Sequence, residues 1–280
     1  MNMPGQKFTE SPTPWLAEDI FTGRVALVTG AGSGIGASLA NTLASLGCMV
    51  ALADKQSDAA HHEAGRILSA GGKALALGMD VVKPIEVDAA VSSAVEWGGG
   101  LDFVVSCAAV TLSGELSSLP LEDWHAAMNV NFHGPYHVAR SAYPHLRGKP
   151  GSAVVNIGSV ASAGAYPGGG SYAASKAALL ILTKQLAVEW ATDGIRVNSV
   201  SPGTTQTPLL DKVQSEETKK ARALKVPLRR IAQPYDIVNA VCFLLSPGAS
   251  YITGHEIIVD GGITQTLMNG SAAWVTKHGK

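Results

Sequence analysis

Cysteine is scarce in this chain. Cys48, Cys107 and Cys242 are the only three in 280 residues, and they lie far apart. A disulfide framework needs paired cysteines in a small scaffold, so these read as reduced thiols of a cytoplasmic protein. Charge is sparse as well: 21 basic against 22 acidic residues, 15% of the chain, for a formal net charge of −1. Neither sign is in surplus, which argues against nucleic acid or an anionic membrane surface as partner. Long hydrophobic runs are also missing, because Gly or polar residues interrupt each apolar stretch, and no segment reads as a membrane span. The start, MNMPGQKFTESPTPWLAEDIF, has no basic region leading into an apolar one and does not read as a signal peptide. With Pro4, Pro12 and Pro14 it predicts a flexible arm over 1–22. Trp15, Leu16, Ile20 and Phe21 are then available to dock it on the body or on a neighbouring subunit.

Hydrophobic residues, by contrast, make up 46% of the chain, enough for a sizeable core. They are arranged in alternation. Apolar runs rich in β-formers recur at 24–30, 48–54, 73–80, 101–107, 152–159, 195–203 and 256–262. Amphipathic or Ala-rich helical stretches separate them at about 35–46, 58–70, 84–96, 121–146, 172–191, 208–223 and 234–245. Continuous apolar strands between helices indicate an α/β fold with a parallel sheet covered on both faces. No internal repeat or long linker divides it. The reading is one doubly wound, Rossmann-like domain of about seven strands over 23–262, with a C-terminal extension at 263–280. Its ligand belongs at the carboxyl ends of the strands.

The loop TGAGSGIG, residues 29–36, follows the first strand and opens the first helix. Gly30, Gly32, Gly34 and Gly36 let the backbone turn tightly and approach a ligand, and the helix N-terminus behind Ser33 offers N–H groups to a pyrophosphate. Ile35 stands where the common dinucleotide fingerprint has its last glycine, so the plain alternative is a glycine-rich turn without a ligand. Asp54 ends the second apolar run. A carboxylate there accepts hydrogen bonds from an adenosine ribose diol and repels a 2′-phosphate, which favours NAD over NADP. Lys55 is the counterweight, as a neighbouring cation able to hold that phosphate. Neutral Ser33 does not add to it.

YAASK, residues 172–176, places Tyr172 and Lys176 four apart on one helix face. A phenol with a pKa near 10 yields its proton poorly at neutrality, and a nearby ammonium favours the phenolate. Tyr172 is then a general base for alcohol oxidation and a general acid for ketone reduction. Ser159, at the end of the fifth strand, is placed to donate a hydrogen bond to the substrate oxygen.

TGAGSGIG, Asp80-Val81, NVNFHG (129–134), NIGSVAS (156–162), YAASK, RVNSVSPG (196–203) and VDGG (259–262) occur in this order. In them the chain resembles the short-chain dehydrogenase/reductases of ordinary length, from about Gly23 to Gly262. The resemblance implies that Lys176 also binds the nicotinamide ribose and that Asn131 supports a water chain from Lys176. It implies that Asp80 and Val81 hold the adenine. After Pro202-Gly203, Thr205 and Thr207 hold the carboxamide. Family members are usually homotetramers, which points to the 121–146 and 172–191 helices as interfaces. The chain departs from the family after the fourth strand. Cys107-Ala108-Ala109 replaces the usual Asn-Ala-Gly next to the adenosine ribose, and Cys107 is a much weaker hydrogen-bonding group than Asn. A small buried residue is the better reading of Cys107 than a reactive thiol.

Substrate specificity is expected from 160–171, including Tyr166, and from a mobile lid at about 204–230. Leu209, Leu210 and Val213 give the lid an apolar inner side. No histidine sits in a metal-ligating cluster. The expected activity is hydride transfer between NAD and a small secondary alcohol or carbonyl substrate. The rivals are an NADPH-dependent reductase of 3-oxoacyl thioesters and, in another class, a non-catalytic dinucleotide-binding regulator. The intact set Asn131, Ser159, Tyr172 and Lys176 argues against the latter.

Overall fold

The computed structural model describes residues 16–164 and 166–266. Seven strands form one parallel sheet: β1 Val25–Thr29, β2 Met49–Asp54, β3 Lys73–Gly78, β4 Phe103–Ser106, β5 Ala153–Ile157, β6 Arg196–Pro202 and β7 Glu256–Val259. Their order is β3-β2-β1-β4-β5-β6-β7. Every connection is a crossover, and the winding reverses between β1 and β4, where Ala26 pairs with Phe103. Each strand falls inside an apolar run expected from the sequence.

Burial on both faces explains why those runs are continuous. In β1 all five residues are buried, and successive side chains point to opposite sides. Ala26 and Val28 join a core with Leu39 and Leu43 of α1 (Gly34–Ser45) and Ile237 and Val241 of α9 (Pro234–Leu245). Val25 and Leu27 join the opposite core, with Val87 and Val91 of α3 (Pro84–Gly98), Val138 of α5 (Gly134–Leu146) and Leu186 of α6 (Tyr172–Trp190). Each leucine fully buried this way contributes roughly 1.5–3 kcal/mol. α2 (Ser57–Ser69) covers the β2–β3 edge. Local signals set the helix ends. Pro84 opens α3 and Gly99 closes it with φ +69°, while Gln233 and Asp236 form a reciprocal capping box on α9.

At the N-terminus, Phe21 is 1% exposed and meets the Phe103 ring edge-on at 5.5 Å, and Leu16 and Ile20 pack on the same core. These three residues therefore dock on the body of the same chain. Trp15 and the end of the C-terminal extension lie outside the described residues.

Two expected helices are broken. The run 121–146 divides into α4 (Leu121–Met128), a π-helical turn (Asn129–His133) and α5. Pro135 has no N–H to give the Asn131 carbonyl four residues back, and the ladder widens, with Gly134 N donating to Asn129 O. The run 208–223 divides into α7 (Pro208–Val213) and α8 (Glu216–Lys225). Gln214 is extended at φ −140°, and the Ser215 hydroxyl accepts from Thr218 N at 3.3 Å to start α8 afresh.

Candidate active site

The carboxyl ends of β1, β2, β4, β5 and β6 open onto one cavity of about 1210 Å³. At one end, Gly30, Ser33, Gly34, Ile35 and Gly36 line its wall. Gly30 has φ +63°, and a Cβ on it would lie 2.7 Å from Ala108 N. A Cβ on Gly36 would lie 2.2 Å from Gly30 O. No side chain fits at either position without moving backbone. Ser33 precedes α1 without a side-chain capping bond, which leaves the first-turn N–H groups to the cavity.

Asp54, Lys55, Asp80 and Val81 line the same end. Asp54 accepts from Gly32 N at 2.9 Å and from Gln56 N at 2.8 Å, which fixes its carboxylate against the glycine loop. Lys55 is ion-paired to Asp80 at 2.8 Å. Burial pushes the Asp80 carboxyl up, but the Lys55 ammonium and Val82 N outweigh it and hold the group below its ordinary range.

At the other end stand Ser159, Tyr172 and Lys176. Ser159 follows β5 in extended conformation, and its Oγ accepts from Ala161 N at 3.1 Å. Tyr172 is the first residue of α6 and Lys176 lies one turn on. Lys176 is 2% exposed and donates to Ile157 O at 2.7 Å. Burial brings its pKa down to about 8. Burial pushes the Tyr172 phenol up, and a hydrogen bond with Ser159 acts in the lowering direction. The Lys176 ammonium lies 5.8 Å from the Tyr172 ring centroid. It is drawn to a strand-end carbonyl, and it does not offset the effect of burial on the phenol. Cys107, Ala108, Pro202, Gly203, Thr205 and Thr207 line the wall between the two ends. A Cβ on Gly34 would meet the Thr207 methyl at 3.3 Å.

Asn131 is the one expected site residue that lies off the cavity wall. It is fully buried in the π-turn, and its side chain is saturated. It accepts from Val110 N at 2.9 Å and donates to Val110 O at 2.9 Å and to Ser175 Oγ at 3.0 Å. Ser175 in turn donates to Tyr172 O at 2.8 Å. The side chain thus joins the loop after β4 to the first turn of α6.

Comparison with known proteins agrees with this geometry. A family model described as enoyl-(acyl carrier protein) reductase matches residues 30–264. Cyclohexanol dehydrogenase of Acinetobacter sp. strain SE19 is 36% identical over 247 residues, 87% of this chain and 96% of that protein. The chain belongs to the short-chain dehydrogenase/reductase family. Another member, 7α-hydroxysteroid dehydrogenase of Escherichia coli K12, is 34% identical over 245 residues, 88% of this chain and 96% of that one. A solved 7α-hydroxysteroid dehydrogenase in complex with NADH and 7-oxo glycochenodeoxycholic acid superposes with a TM-score of 0.85 at 32% identity. It covers 91% of this chain and all of that one. A short-chain dehydrogenase/reductase structure from Mycobacterium marinum gives 0.84 at 32% identity, over 89% of this chain and 98% of its own.

This short-chain dehydrogenase/reductase also uses residues that its motifs did not single out. Thr29 Oγ1 accepts from Cys107 N at 3.2 Å and Ala108 N at 3.3 Å, so a hydroxyl on β1 braces the segment after β4. Burial pushes the Cys107 thiol up to about 12, with Lys176 opposing, as suits an inert thiol. Glu256 at the start of β7 accepts from Ser201 Oγ and, at 3.1 Å, from Ser162 Oγ. The one Ser162 hydroxyl proton is shared with Ser159 O at 2.7 Å, which ties the Ser159 turn to β6 and β7. Thr29 and Ser162 sit inside quoted motifs, so proximity was a signal. Glu256 is a charge opening an edge strand, which by pattern reads as solvated.

Proposed function

We propose that this chain is an NAD(H)-dependent oxidoreductase of secondary alcohols and their ketones, with Tyr172 as general acid/base. The observation that carries the reading is the convergence of Ser159, Tyr172 and Lys176 on one end of a cavity whose other end is glycine loop and Asp54. The wall suits a dinucleotide. It has a cradle with no room for a Cβ at Gly30 and Gly36, an open helix N-terminus for the pyrophosphate, and a fixed carboxylate for the ribose diol. On this reading Asp80 and Val81 hold the adenine, and Thr205 and Thr207 hold the carboxamide.

The nicotinamide supplies or takes the hydride when bound. The chain's own residues handle the oxygen. Ser159 donates a hydrogen bond to it and orients the carbon. Tyr172 as phenolate removes the hydroxyl proton in oxidation, and as phenol it protonates the oxygen in reduction. Lys176 is a buried donor beneath the phenol, and on this reading it also binds the nicotinamide ribose. Asn131 acts as a positioning residue through Ser175.

The cofactor preference rests on Asp54 and on the Lys55–Asp80 pair. A lysine already neutralised by Asp80 is poorly placed to bind a 2′-phosphate. An NADPH-dependent reductase would bind NADPH at least as tightly as NADH, so a direct comparison of the two affinities decides between the readings.

The principal test follows NADH absorbance across a panel of secondary alcohols with NAD⁺ and ketones with NADH, each repeated with Tyr172→Phe. Loss of activity by roughly 10²-fold or more is expected, and activity surviving in the variant would refute the role of Tyr172. The α7–α8 segment is read as the substrate lid, and hydrogen exchange at 208–228 should slow on ternary-complex formation. Ile181 (64% exposed) and Val188 (78%) lie two turns apart on α6 and suit a homotetramer interface. A monomer mass by light scattering would refute that assembly. No helix among the described residues is long and apolar enough to cross a membrane.

A further inference from the structure

The substrate end of the cavity has an unbalanced charge. The carboxylates on the whole wall are Asp54 and Asp80, both at the glycine-loop end, and Asp80 is already paired with Lys55. From the lid the wall carries Lys212 of α7 and Arg222 of α8, and no acidic lid residue lines it. Two other lid cations are compensated locally. Lys219 is paired with both Asp211 and Glu216, and Arg230 grips Asp236 with two hydrogen bonds. Among the described residues, Lys212 and Arg222 have no carboxylate within 4.0 Å.

Arg222 also leans inward. Its Nη1 lies 3.4 Å from Thr204 Oγ1, in the loop that follows β6. Thr218 precedes it by one turn, and both line the cavity, so one face of α8 presents a hydroxyl and a guanidinium to the same space. The same wall also carries apolar side chains at Val160, Leu209 and Leu210. A ligand in this cavity can therefore meet hydrogen-bonding groups at Ser159 and Tyr172, apolar side chains, and two lid cations that no carboxylate pairs.

We propose that the physiological substrate is a secondary alcohol or ketone with an apolar body and a terminal anionic group, and that Arg222 and Lys212 receive the anion. This deepens the oxidoreductase reading above and rests on it. An oxyanion such as a carboxylate, sulfonate or phosphate accepts bonds from a guanidinium in the lid, and closure of the lid removes water from that contact. The other source of the same chemistry is the cofactor pyrophosphate.

The test is equilibrium binding to the NADH-loaded protein, where an alcohol forms a ternary complex without turnover. Three matched pairs serve as probes: 4-hydroxycyclohexanecarboxylate, 3-hydroxyoctanoate and a hydroxycholanoate, each against its primary amide. At least one acid is expected to bind about tenfold tighter than its amide, with a preference that weakens as salt is added. Arg222→Gln and the double variant with Lys212→Gln should abolish the preference and leave NADH affinity within about twofold. Amides binding as tightly as acids, or no pair binding at all, would overturn the proposal. So would an Arg222→Gln protein that loses NADH affinity and keeps the acid preference, since the cations would then serve the cofactor. The broader reading fails separately, through the absence of any NADH-linked turnover in a protein that binds these ligands.

Discussion

Replacing Lys176 by Met isolates the cost of burying a cation at the site. The folded pKa is about 8 against an ordinary 10.5, and the side chain is 2% exposed. Between those values the unfolded chain holds a proton that the folded chain has released, so wild-type stability rises with pH across the window. At about 1.4 kcal/mol per pKa unit, the buried ammonium costs the fold about 3 kcal/mol near neutrality and about 1 kcal/mol near pH 10. Methionine has similar length and no charge. It also leaves Ile157 O without its donor, a loss of about 1–3 kcal/mol that does not depend on pH. The informative quantity is therefore the pH dependence of the difference between the two proteins. Cys107 and Cys242, pushed from 9.0 to about 12 by burial, act with the opposite sign above pH 9 and are common to both. Urea unfolding at intervals from pH 7 to pH 10 should show the variant losing about 2 kcal/mol of relative stability across that range. A difference that stays constant would mean that Lys176 keeps an ordinary pKa in the folded protein, and the argument from burial would be wrong.

Three further outcomes follow from the geometry. Gly30→Ala places a Cβ 2.7 Å from Ala108 N at φ +63°; it should destabilise the fold by at least about 1–2 kcal/mol and weaken NADH binding, and wild-type melting and affinity would refute the cradle. Asp80→Asn frees the Lys55 ammonium, so fluorescence titration should show NADPH affinity rising by up to about fivefold relative to NADH. An unchanged ratio would mean that the pair does not bear on selectivity. Glu256→Ala should lower kcat several-fold with little change in the KM for cofactor, Glu256→Gln should restore it, and neither should matter in a Ser159→Ala background. Additive losses would show that Glu256 does not act through Ser159.

The strands were legible in the sequence because all seven belong to a sheet packed on helices, where a central strand needs apolar residues on both sides. The glycine loop was legible for a related reason: Gly30 and Gly36 are required by backbone contact, as the 2.7 Å and 2.2 Å approaches show. The two broken helices escaped periodicity. Neither a π-turn nor a two-residue break shifts the apolar spacing enough to be seen in a single sequence. Both left local marks even so, in Pro135 after NVNFH and in the capping sequence Ser215-Glu216-Glu217-Thr218.

The chemistry of the site was less legible than its membership. The spacing of Tyr172 and Lys176 places both side chains at one cavity, but spacing says nothing about where an ammonium points. In the fold it turns to Ile157 O, and burial shifts both groups toward their neutral forms. The phenol is held toward its neutral form by burial, and the Ser159 hydroxyl acts in the other direction without outweighing it. Ser159 is held by Ala161 N at its hydroxyl and by Ser162 at its carbonyl. The turn that holds it is anchored by Glu256 on β7, which lies in none of the motifs. A motif names the groups that do the chemistry, and the sheet decides how rigidly they are held.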